Sequence, residues 1–107
     1  MVKYTNERMK KDLNKFRNTI KKKINVDKMI LFGSRAKDEY FLDSDVDLII
    51  VSKDFSDKFF TKRISDMLEY WSAPVDLEPL CYTPEEFKRK AKEHGIVRTA
   101  IKEGIRL

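Results

Sequence analysis

The sequence holds one cysteine, Cys81, and one histidine, His94, so an internal disulfide and a Cys-based zinc cluster are excluded and nitrogen ligands are scarce. Any metal bound here must be held by oxygen. No apolar run approaches the roughly 20 residues needed to cross a bilayer, and the lysine-rich start has no apolar signal-peptide block. The expectation is therefore a protein of the cytoplasm with no membrane partner. With only three glycines and three prolines, the chain has few positions that break regular structure, and each carries weight. At 107 residues it is read as a single domain, 1–107, with one modest core.

Charge is abundant. Charged residues make up 38% of the chain and the net charge is +5. Much of the excess lies in Lys10, Lys11, Lys15, Arg17 and Lys21 to Lys23, and again in Lys88 to Lys92. Such runs ordinarily form the solvated face of a helix. No aromatic residues interleave with them as a stacking platform requires, so no specific nucleic-acid partner is expected. A basic surface does suit an anionic nucleotide or an acidic protein.

The stretch that organises the chain is Ile30 to Ser52. Two apolar runs, Met29–Phe32 and Val46–Val51, read as strands joined by a polar segment. Gly33 and Ser34 close the first. Asp45 and Asp47 open the second, and because strand side chains alternate they face the same way, their Cα atoms roughly 6.5 Å apart at about 3.3 Å per residue. Two like charges leading into the unbroken run Leu48-Ile49-Ile50-Val51 resist burial, a conflict that a divalent cation removes. An Asp-x-Asp pair alone more often lines a solvated strand face. A bare Gly-Ser is an ordinary turn, and the Gly-Lys-Ser/Thr ending of a Walker motif is missing. Glycine nonetheless lets the backbone approach a ligand, and amides after it, with the serine hydroxyl, suit a phosphate.

Elsewhere, Met9, Leu13, Phe16, Ile20 and Ile24 form one stripe of an amphipathic helix. Phe60, Ile64, Met67, Leu68 and Trp71 mark the buried side of another, with Trp71 as core. Val75 to Leu80 reads as a third strand with Asp76 and Glu78 on one face, Asp76 as a third carboxylate and Glu78 facing solvent or supporting the others. Thr83-Pro84-Glu85-Glu86 is a capping box with proline at the first helical position. Gly95 ends that helix, and Ile96 to Lys102 forms another with Val97, Ala100 and Ile101 inward, stopped by Gly104. His94 is read as a capping or surface residue.

Gly33-Ser34-Arg35-Ala36 followed by Ser44-Asp45-Val46-Asp47-Leu48 resembles the signature of the minimal nucleotidyltransferase branch of the DNA polymerase beta superfamily: Gly-Ser, ten residues, Asp-x-Asp. Residues 35–44 supply the ten, and Val75-Asp76-Leu77 is similar to that family's third acidic strand. The resemblance implies an α+β fold, a small mixed sheet covered by helices. It further implies that Asp45, Asp47 and Asp76 hold two Mg²⁺ ions, with Asp76 as general base, while Gly33, Ser34 and Arg35 hold the phosphates of ATP or another nucleoside triphosphate. One departure is Asp38, where relatives commonly have glycine, which alters the turn or the charge near the triphosphate.

Small members of this family are similar to antitoxins that silence a helical HEPN-type toxin by attaching AMP to a tyrosine. The resemblance therefore implies such a partner and an antitoxin role, with an oligomer as a further possibility. A toxin-blocking or nucleotide-sensing module without turnover, or a small-molecule adenylyltransferase, are the competing readings.

Overall fold

The computed structural model describes residues 4–37 and 44–107. Thr5 caps the first helix, its hydroxyl accepting from Arg8 N–H, and α1 runs Asn6–Lys21 with Met9, Leu13, Phe16 and Ile20 buried. The expected stripe is correct, though Ile24 lies past the helix end. Strand β1 spans Lys28–Phe32 and β2 spans Val46–Val51, the latter with the expected bounds. Helix α2 is Phe60–Leu68, strand β3 is Leu77–Tyr82, helices α3 and α4 are Pro84–Ala91 and Ile96–Glu103, and Ile105–Arg106 forms a short β4.

Among the described residues the strands form one mixed sheet in the order β3-β2-β1-β4. β1 is antiparallel to both β2 and β4, and β2 is parallel to β3, with α2 in the crossover. Because strand residues alternate faces, the apolar runs supply both sides of the sheet. Met29, Leu31, Leu48, Ile50 and Cys81 meet α1 and α2 on one side, while Ile30, Ile49, Val51 and Tyr82 meet α3 and α4 on the other. The α+β fold expected from the sequence is present. No helix among the described residues is long and apolar enough to cross a membrane.

Several local expectations need correction. The third strand begins at Leu77 rather than Val75, because the Val75 carbonyl accepts the Trp71 indole N–H at 2.7 Å instead of joining the ladder. Pro79 then sits inside β3, tolerated because β3 is an edge strand with one side of its backbone unpaired. Helix α2 stops at Leu68, so Trp71 is not on a helical stripe. It still reaches the core, edge-on to Phe16 with ring centroids 5.7 Å apart.

Phe60, Leu68 and Ile101 are exposed rather than inward. On α2 the place of the missing apolar groups is taken by Arg63, which is buried and donates to the carbonyls of Lys58 and Cys81 and to Glu86 Oε1 at 2.7 Å. Glu86 completes the expected capping box with Thr83. Burial pushes its carboxyl up, but the Arg63 hydrogen bond and the Thr83 N–H outweigh this and leave it below the usual range. The last strand, β4, has no expectation behind it. It is placed by Gly104, where an added Cβ would run into the carbonyl oxygens of Ala100 and Leu31.

Candidate active site

β1 ends where the chain must turn sharply away from β2. Gly33 has φ 76° and ψ −159°, a conformation open essentially to glycine alone. Phe32 is the register partner of Asp47, and the space a Gly33 Cβ would fill is taken by Asp47 Oδ2, with Asp47 Cγ 3.2 Å from that point. The turn and the aspartate are therefore in direct contact. Ser34–Ala36 continues as a single 3-10 turn closed by Ala36 N–H to Gly33 O at 3.1 Å and Lys37 N–H to Ser34 O at 3.2 Å. Gly33 and Ser34 are half-buried.

The acidic groups gather at the start of two neighbouring parallel strands. Asp47 is paired in register with Glu78, whose side chain is exposed. Partial burial pushes the Asp47 carboxyl up, the neighbouring Glu78 carboxyl opposes this, and the Asp45 charge adds to the rise. Asp45 lies one residue before β2, close enough for its charge to act on Asp47. Asp76 is exposed one residue before β3, tied to β2 by Val46 N–H donating to the Asp76 carbonyl at 2.8 Å.

Glu78, read from sequence as solvent-facing or supporting the others, is exposed and lies beside Asp47 in register. Among the described residues no three Asp, Glu, His or Cys side chains are drawn together tightly enough to form a ready-made metal cage. The donors that are present nevertheless fit a hard divalent cation: they are all oxygen, and Asp45 and Asp47 carry like charges at short range on a half-buried surface.

Arg35, expected beside the phosphates, is turned inward and only 2% exposed. Its Nε donates to Ser44 O at 3.1 Å, its Nη1 to Tyr4 O at 3.0 Å, and the guanidinium lies 5.1 Å from the Tyr4 ring centroid. The cation that faces outward at this turn is Lys37, which pairs with Glu103 at 3.4 Å. Sequence reading passed over Lys37, although its place two residues past Arg35 in a 3-10 turn puts the two on different sides. Lys37 and Gly33 border a hollow of about 410 Å³ whose other walls include Phe32, Ile96, Thr99 and Ala100. Asp38 lies outside the described residues.

Comparison with known proteins gives the family and the fold. The family model described as "nucleotidyltransferase domain" matches residues 13–107. A search of curated proteins finds no match. Among solved structures, a candidate nucleotidyltransferase from Sulfolobus solfataricus is similar at 20% sequence identity, with a TM-score of 0.68 over 94% of this chain and 80% of that one. At that identity the likeness concerns the fold.

Proposed function

Because the chain belongs to the nucleotidyltransferase domain family, we propose that it moves a nucleoside monophosphate, AMP from ATP in the first instance, onto a hydroxyl of an acceptor. The observation that carries this reading is the contact between the glycine turn and Asp47. A triphosphate laid on the turn would have its phosphates near Asp47, since Gly33 itself puts no side chain between them. Gly33 offers bare backbone, Ser34 a hydroxyl, and Lys37 a positive charge at the rim of the adjoining hollow.

In this reading Asp45 and Asp47 hold divalent metal, Mg²⁺ in two sites with Asp76 completing the set. When bound, the metal neutralises phosphate charge and makes the acceptor hydroxyl easier to ionise. The acceptor oxygen forms its new bond to the α-phosphorus as the bond to the β-phosphate oxygen breaks, and pyrophosphate leaves. In this reading Asp76, exposed one residue before β3, takes the hydroxyl proton. Glu78 lies beside Asp47 on the neighbouring strand, adding negative charge for the metal to neutralise.

For the acceptor we propose a tyrosine on a HEPN-type helical toxin, which makes this chain the antitoxin of the pair. Support comes from the resemblance of Gly33-Ser34-Arg35-Ala36 and Asp45-Val46-Asp47 to those antitoxins, and from the basic surface available to an acidic partner. The test is incubation with Mg²⁺, α-labelled ATP and the product of the adjacent gene. Label should pass to that protein, and Asp45→Asn with Asp47→Asn should abolish it. Neutralisation of the neighbour by the double variant at full strength would instead establish a contact inhibitor without turnover.

A further inference from the structure

Arg35 sits in the middle of the functional signature yet presents nothing to a ligand. It follows Ser34 in the chain, and its guanidinium spans to Ser44, the residue before Asp45. One side chain thus bridges the two ends of the segment that separates the glycine turn from the aspartate pair. A second arm of the same fork holds the carbonyl of Tyr4, one residue before the Thr5 cap of α1, and the Tyr4 ring covers the guanidinium face. Tyr4 is itself buried and fixed by its hydroxyl donating to Asp12 Oδ2 at 2.6 Å.

A buried cation is retained only when its donors are satisfied, and Arg35 meets that demand with main-chain carbonyls at both sides of the site. The planar fork fixes direction as well as distance, which the single ammonium of lysine cannot do.

We infer that Arg35 is a positioning residue: by clamping Ser44 and Tyr4 it sets the spacing between the Gly33-Ser34 turn and Asp45-Asp47, and couples that spacing to the seating of α1. The consequence for phosphate transfer rests on the function proposed above, but the clamp itself does not. A small error in this spacing moves the phosphates relative to the carboxylates, and in-line transfer is sensitive to such errors.

The first test is independent of turnover. Amide hydrogen exchange is measured on the full chain and on Arg35→Lys, which keeps charge and approximate volume but loses the fork. The amides of Ala36 and Val46, bonded to Gly33 O and Asp76 O, should exchange about tenfold faster, while that of Ile50 in the sheet centre keeps its wild-type rate. Tyr4→Leu, which removes the covering ring and leaves the carbonyl, should give the same local pattern more weakly and carries the test if Arg35→Lys does not fold. Unchanged exchange at Ala36 and Val46 in a folded variant overturns the inference.

The second test uses the transfer assay. In Arg35→Lys, kcat should fall by about tenfold or more while KM for the nucleotide stays within about threefold. A variant with normal kcat and a greatly raised KM would make Arg35 a phosphate ligand and overturn the clamp. If the wild-type chain transfers nothing to any acceptor, the proposed function fails, and the exchange pattern alone decides the role of Arg35.

Discussion

Gly33 and Asp47 touch through the space where any other residue at position 33 would carry its Cβ. This contact fixes how close the turn proposed to carry the phosphates and the carboxylate proposed to hold metal can come. It also makes position 33 doubly restricted, by conformation and by room.

Gly33→Ala is expected to be costly on both counts. The φ of 76° with ψ near −159° costs a side-chain-bearing residue about 1–3 kcal/mol, and the methyl group must additionally displace the Asp47 carboxylate. Thermal unfolding should show the loss in stability. Nucleotide transfer should drop further than that loss explains, because the displaced group is Asp47.

Asp45→Asn should act on Asp47 as well as on transfer. Asp45 raises the Asp47 carboxyl by repulsion, so neutralising it should bring that carboxyl down toward its ordinary range. Carboxyl-carbon NMR titration in metal-free buffer should show Asp47 titrating at lower pH in the variant, and transfer should be lost. An unchanged Asp47 titration would mean that the Asp45 charge does not reach it.

How much of this was legible beforehand depends on what kind of signal each residue carried. The Val46–Val51 strand and the Thr83-Glu86 cap were plain, because the apolar run Leu48-Ile49-Ile50-Val51 and a capping box are local patterns. Leu77 as the start of β3 was not, since it is set by the Trp71–Val75 hydrogen bond and by pairing with Val46, both outside the strand's own sequence. The register that sets Glu78 opposite Asp47 is likewise a tertiary fact, absent from either strand's own sequence. Two residues at 105–106 are too few to show any period, so β4 left no trace. Arg35 and Arg63 were hidden for a common reason: charge patterns mark arginine as surface, and only tertiary contacts reveal the carbonyls that permit burial.

Glu86 should govern part of the acid sensitivity. Its carboxyl is held below the usual range in the folded chain, with Arg63 and Thr83 donating to it, whereas in the unfolded chain it has its ordinary value. The stabilisation is therefore complete above the unfolded pKa and is lost as pH falls through the folded one. Glu86→Gln should flatten that part of the stability curve below about pH 4.5, where an unperturbed glutamate titrates. Glu86→Ala, which strands the buried Arg63 and opens the cap, is expected to cost about 2–4 kcal/mol at pH 7 in denaturant titration.

Cys81 should be silent toward thiol reagents. It is fully buried in β3, and burial pushes its thiol up to about 12. At neutral pH almost no thiolate exists, and reagent has no path to the sulfur. Alkylation followed by mass measurement should show an unmodified native chain and complete modification in denaturant. Because the thiol reports only on opening of the strand next to β2, its labelling rate in mild denaturant also tests whether β3 leaves the sheet before the rest unfolds. An edge strand carrying Pro79 is the expected first element to go, so labelling should run ahead of the loss of Trp71 fluorescence only if Trp71 stays docked on Phe16. Simultaneous changes in both signals would show that Trp71, through its bond to Val75, leaves together with the strand it precedes.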